Sequence, residues 1–132
     1  MRTDIFYTND FAVAAANDTI YGILIFLFYE PLYSAFTIEI PVSIAYIHIT
    51  AAFVFVQGIS YFFVFLNLQR NIDIVKVGLI YKSIYSLLAF YYWFISQIPH
   101  PMFGIFGIID IVFVVLFALY LKDYEKVIMQ AA

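Results

Sequence analysis

Apolar positions in this chain fall into four long runs, and polar positions gather in the short breaks between them. The runs reach from about Phe11 to Phe36, Val42 to Leu66, Ile74 to Gln97 and Met102 to Leu121. At about 1.5 Å of rise per residue, a helix over any of them crosses a hydrocarbon layer of about 30 Å. The breaks carry helix-stopping chemistry: "TIEIP" holds Glu39 and Pro41, "NLQRNID" is strongly polar, and "QIPHP" sets Pro99 and Pro101 around His100. β-Branched and aromatic residues abound, which in water would argue for strands. In lipid, runs of this length favour helices, because every backbone N–H must find its partner within its own segment. The pattern predicts an all-α integral membrane four-helix bundle, one transmembrane domain over residues 1–132.

Composition agrees. Of 132 residues, 66% are hydrophobic and 11% charged, where a soluble domain is about half apolar and a quarter charged. Four spans of about 22 residues with short turns account for the length, leaving no room for a soluble domain. The net charge of −3 and the scatter of the six Lys and Arg residues exclude polybasic attachment to nucleic acid. Without cysteine there are no disulfides, thiolate metal sites or thiol redox chemistry. The opening "MRTDIFYTND" lacks the basic-then-apolar order of a secretory signal. "AVAAA", Ala12 to Ala16, supplies small residues that let helices approach closely.

The basic residues set the expected orientation. Four spans place the N-terminus, the central loop and the C-terminal tail on one side, with Arg2, Arg70, Lys76, Lys122 and Lys126; the other two loops carry no Lys or Arg. Both termini are therefore expected in the cytoplasm, in a multi-pass protein of the cell inner membrane. Tyr29, Tyr33 and "YYWF", Tyr91 to Phe94, fit an aromatic belt at the opposite surface.

Four polar residues interrupt the apolar runs. Counted from the cytoplasmic edge at about 1.5 Å per residue, Lys82 lies roughly 12 Å deep, Asp18 roughly 10 Å, Tyr61 roughly 9 Å and Asp110 roughly 18 Å. A lone charge at such depth costs at least about 2.5 kcal/mol, so these residues are expected to face inward and pair. The predicted cluster holds Lys82 between Asp18 and Asp110, with the Tyr61 hydroxyl as a further partner. Two acids and one base leave a surplus negative charge, met by a proton, water or a cation. Such a cluster either fixes helix register or binds a small cation or relays protons. Gln57 and Ser60 are candidate donors across helices. His48 and His100 are weaker candidates as ligands of a haem or metal ion, against neutral histidines hydrogen-bonded in the bundle. No phosphate-binding loop, Ser-His-Asp order or di-iron pattern is present, and the sequence implies no cofactor, no metal and no enzyme.

The patterns "DTIYG" with Asp18 and Gly22, "GISY" with Gly58 and Tyr61, "VGLIYK" with Gly78 and Lys82, and "IIDIVF" with Asp110 resemble a group of small bacterial four-helix membrane proteins, DoxX-like in layout. That group carries Asn then Gly in the first span, Gly-x-x-Tyr in the second, Gly-x-x-x-Lys in the third and Asn-Asp in the fourth. The match covers about Asn17 to Leu121. This chain has Asp18 where Asn is usual and Ile109 where Asn would precede the acid, so the group's charge balance does not carry over. The resemblance implies the layout and the meeting of these residues, not an activity.

Two functions follow as expectations. The first is a non-enzymatic accessory subunit packed among larger membrane-protein subunits, since Phe90, Phe94, Phe113 and Phe117 recur at helical spacing on faces a small bundle cannot all bury. The second is a small homo-oligomeric transporter or ligand-binding protein that uses the Asp18, Lys82 and Asp110 cluster. Either is compatible with bound lipid, quinone or pigment.

Overall fold

The apolar runs become helices in the computed structural model, which describes residues 3–131. The helices are α1 (Thr3–Ala35), α2 (Ala45–Leu66), α3 (Ile72–Phe94), α4 (Pro101–Lys122) and α5 (Tyr124–Ala131), with no strand among the described residues. Four of them, α1 to α4, are long and apolar enough to cross a membrane. Arg2, one of the orienting basic residues, lies outside the described residues.

Helices α2 to α4 begin and end within three residues of the apolar runs. Helix α1 starts eight residues before its run, because its first turns are amphipathic rather than apolar: Tyr7, Asp10 and Phe11 turn inward. Its 33 residues span about 50 Å, more than a hydrocarbon layer is thick. Pro31 lies inside α1 and has no N–H for the carbonyl of Leu27. The backbone leaves helical values at Phe28 (φ −123°, ψ 29°), and the helix kinks there.

The helix ends use local chemistry. Pro101 opens α4, where a missing N–H costs nothing, and the His100 side chain caps it by accepting from the Met102 N–H at 3.0 Å. At the end of α2 the Asn71 side chain donates to the Phe63 carbonyl at 2.9 Å and to that of Asn67 at 3.3 Å. Helices α1 and α3 end on left-handed residues, Thr37 (φ 52°) and Ser96 (φ 59°). The next N–H in each case folds back to the helix, Ile38 to the Tyr33 carbonyl and Gln97 to that of Tyr92, both at 2.8 Å.

The closest packing pairs α1 with α2 and α3 with α4. Glycine sets the first pair: a Cβ on Gly58 would stand 2.5 Å from the Thr19 backbone nitrogen, and one on Gly22 would stand 2.7 Å from that of Phe55. The two backbones therefore touch at two heights, as small residues permit in membranes.

The main core sits at the end carrying both termini. Phe11 stacks on Phe117 (4.9 Å between centroids) and meets Tyr120 edge-on at 5.2 Å. Phe113 and Phe117, expected on an outward face, are thus interior, and Phe117 is 0% exposed. The cause is register, since they follow Asp110 by three and seven residues and share its face. Phe94 does point outward, at 89% exposure. Tyr33, expected in the aromatic belt, is buried with Ile38 and Ile47 in a smaller core at the opposite end.

Helix α5 was not signalled by any apolar run. It is amphipathic, with Tyr124, Val127 and Ile128 three and four residues apart, and Val127 is fully buried in the main core. Tyrosine hydroxyls tie this end together. Tyr120 donates to the Leu68 carbonyl, Tyr124 to that of Gln69 at 2.7 Å, and Tyr7 to the Asp123 carboxylate at 2.9 Å. The Gln130 side chain accepts from the Thr3 N–H at 2.9 Å, joining the two ends of the described chain.

Gly58→Ala is expected to force α1 and α2 apart and cost about 1–3 kcal/mol, the usual range for overpacking. Gly107→Ala meets side chains alone, Ala89 Cβ at 3.2 Å and Phe90 Cε1 at 3.4 Å. It should be near neutral, because a gain in helix propensity of about 1 kcal/mol offsets the crowding. Thermal unfolding in detergent compares the two, and equal midpoints would contradict the backbone contact at Gly58.

Candidate functional site

Each of the four long helices sends one residue to a common point. On α3 the inward face reads Gly78, Lys82, Ser86 and Ala89, so small residues above and below give the long Lys82 side chain room to turn inward. Gly78 leaves the slot that the Tyr61 ring fills, with a Cβ there standing 2.6 Å from Tyr61 Cε1. Ser86 donates to the Gly107 carbonyl at 2.9 Å and fixes α3 against α4 one turn further on.

Lys82 is 0% exposed. Its Nζ lies 2.8 Å from Asp110 Oδ1, and 3.2 and 3.3 Å from Asp18 Oδ1 and Oδ2. The Asn17 amide also donates to Asp18 Oδ1, at 2.9 Å. Two ring faces complete the enclosure, Phe113 at 5.0 Å and Tyr61 at 5.4 Å from Nζ to centroid, within cation–π range. The ammonium is thus held by charge on two sides and by aromatic quadrupoles on two others.

Tyr61 contributes differently from expectation. Its ring meets Lys82, but its hydroxyl is buried beside Gly78 with no hydrogen-bond partner. Gln57 and Ser60 do not reach across helices either: the Gln57 amide nitrogen is buried without a partner, and Ser60 donates to the Val56 carbonyl of its own helix at 3.0 Å.

One acid of the interior is absent from the sequence-based cluster. Asp10 on α1 is 8% exposed, its Oδ2 has no partner, and it lines a groove with Phe113 between α1 and α4. Its signal was its spacing, since Tyr7, Asp10, Phe11, Ala14 and Asp18 form one helical stripe.

The histidines occupy separate positions. His48 stacks on Phe26 at 4.6 Å and meets Tyr29 edge-on at 5.5 Å. His100 is the cap of α4 and packs near Phe36 at 5.3 Å. Among the described residues, no group of three or more His, Asp or Glu is placed to hold a metal ion.

A cavity of about 110 Å³ opens on the carboxylate side of the cluster. Asp18, Asp110 and Asn17 lie in its wall, and it runs away from the termini past Tyr21, Tyr85 and Phe106. Asp110 spends only Oδ1 on Lys82; no side chain or backbone group among the described residues hydrogen-bonds its Oδ2.

Four apolar helices of spanning length mark a multi-pass membrane protein, and they enclose a buried Asp–Lys–Asp triad. No protein-family model matches the chain, and no match was found among curated proteins or solved structures.

Lys82→Met strands two carboxylates and is expected to cost about 3 kcal/mol, the low end for breaking a buried pair, with part of the loss recovered when Asp110→Leu is added. Tyr61→Phe should stay within about 0.5 kcal/mol of the parent, because the ring that meets Lys82 is kept and only a hydroxyl beside Gln57 of its own helix is removed. A double-mutant cycle on thermal stability in detergent measures the first. Zero coupling of Lys82 with both acids would deny the triad, and a large loss for Tyr61→Phe would deny the orientation of the ring.

Proposed function

We propose that this chain is a non-enzymatic ligand-binding protein of the cell inner membrane, a four-helix bundle with cytoplasmic termini that takes up one small cation at Asp18 and Asp110. The observation that carries the proposal is the cavity that meets two carboxyl groups sharing a single buried lysine. Structural pairing alone needs one acid per base. Here Lys82 neutralises half of the acid charge and positions both carboxylates, so one cation or one proton completes the balance.

The accessory-subunit reading drew on four phenylalanines, and two of them, Phe113 and Phe117, are interior. Lipid is sufficient cover for Phe94. Orientation draws on Arg70, Lys76, Lys122 and Lys126 lying at the end where the chain termini meet, with no basic residue in the two opposite loops.

The natural absence of cysteine makes single-cysteine labelling a clean test of orientation. On intact cells, an impermeant thiol reagent should label Ser43→Cys, and should label Gln69→Cys only after permeabilisation. The reverse pattern would invert the protein in the membrane. For function, native mass spectrometry in mild detergent should find the chain without larger subunits; a fixed stoichiometry with a larger membrane protein would restore the accessory reading.

A further inference from the structure

We infer that the Asp10 carboxyl is a proton-binding site, open toward the end that carries the termini and coupled to the triad through Lys82. This goes beyond the cation reading above and does not depend on it: the occupant is a proton, and the site lies in the groove between α1 and α4, not in the cavity.

The first observation is isolation. Among the described residues three acids are buried, Asp10, Asp18 and Asp110. Asp18 receives Lys82 and the Asn17 amide, and Asp110 receives Lys82. Asp10 is as buried as Asp110, at 8% exposure, yet no described residue donates to its Oδ2. A carboxylate buried without a donor is far costlier than a neutral carboxyl, and such a group takes up a proton. Oδ2 has no surface that a larger ligand could touch, so a proton is the cation that removes the charge.

The second observation is placement. Asp10 stands one residue before the apolar run that opens at Phe11, on the part of α1 that exceeds the hydrocarbon layer. It lines the groove with Asn9, Val112, Phe113 and Leu116, which gives a proton a way in from that end. Asp18 follows eight residues later on the same face of α1, about 12 Å further along the axis.

Phe113 joins the two sites. Its ring borders the groove of Asp10, and its centroid is 5.0 Å from Lys82 Nζ. From α3, the charge that reaches Asp10 is that of Lys82. From α4 the groove receives Val112, Phe113 and Leu116, all apolar. On α1 the neighbouring ionisable group is Tyr7, one turn earlier, whose hydroxyl is engaged with Asp123. No charge from α2 or α5 acts on Asp10 among the described residues. In an apolar medium the field of an ammonium carries across one ring. The coupling is reciprocal: an ionised Asp10 draws on the ammonium that Asp18 and Asp110 share, and a change of charge in the triad moves the proton affinity of Asp10.

The test is infrared spectroscopy of the full chain in detergent, read in the C=O stretch of protonated carboxyls across a pH series. At about pH 6, where an ordinary Asp with a pKa of about 3.9 is ionised, the parent should show this band, and Asp10→Asn should remove a component of it. That component should take its deuterated position as soon as the sample is moved into deuterated water. The pH at which it is lost should rise in Lys82→Met, where an attracting charge is gone, and fall in Asp110→Asn, where a repelling one is gone; a merely structural Asp10 would show neither shift. A band unchanged by Asp10→Asn would overturn the proton site. Deuteration that takes hours would overturn the opening to the groove, and a pH of loss unmoved by both triad variants would overturn the coupling. Should Lys82→Met fail to fold, Asp110→Asn decides the coupling alone.

Discussion

The ammonium of Lys82 is fully buried, and the rotation of every long helix answers to that fact. In water, helices turn their apolar faces inward and the hydrophobic effect chooses the face. In lipid the surroundings are as apolar as the interior, so that choice disappears, and polar contacts and close backbone approach decide instead. Asp18 fixes the rotation of α1, Lys82 that of α3 and Asp110 that of α4, while the Tyr61 ring is carried in on α2. Once Asp110 faces inward, Phe113 and Phe117 must follow on the same stripe. The aromatic core around Phe11, Phe117 and Tyr120 therefore lies on the same helix faces as the ion triad, and the two agree on the rotation of α1 and α4.

The molecule has two unlike halves on either side of that triad. Toward the termini, rings pack face and edge, tyrosine hydroxyls reach loop carbonyls, and α5 closes the end with Val127. Away from the termini, α1 kinks at Phe28, the second core is small, and the cavity runs between the helices. Pro31 contributes to this difference by releasing a backbone carbonyl and bending α1 beyond the site. The cavity lies in the half where the core is smaller.

Most of this order is legible in the sequence. Four apolar runs became helices long enough to cross a membrane, and Asp18, Lys82 and Asp110, singled out by their depth within those runs, meet. The misses share a physical origin. The first turns of α1 and all of α5 are amphipathic, and a search for continuous apolar length passes over an eight-residue helix whose only signal is the spacing of Tyr124, Val127 and Ile128. Depth told where Tyr61 is but not that its ring, rather than its hydroxyl, meets Lys82. The outward placing of Phe113 and Phe117 failed because a uniformly apolar helix carries almost no directional signal, and its one acid supplied the direction instead.

Register and binding, set against each other as readings of the triad, are compatible in this geometry. A single Asp would have been enough to bury Lys82 and to fix α3 against one neighbour. The second carboxylate fixes another helix, but at the cost of a charge that the interior cannot leave unbalanced. In the proposed reading Lys82 is a resident counter-ion that holds both carboxyl groups in place and lowers the charge of the site by one. Without the lysine, two facing acids would repel and call for two cations. With it, the contact at 2.8 Å to Asp110 Oδ1 orients that carboxylate and leaves the other oxygen as the acceptor of the proposed site. The ion pair that sets the rotation of the helices is thus also the one that orients the proposed site.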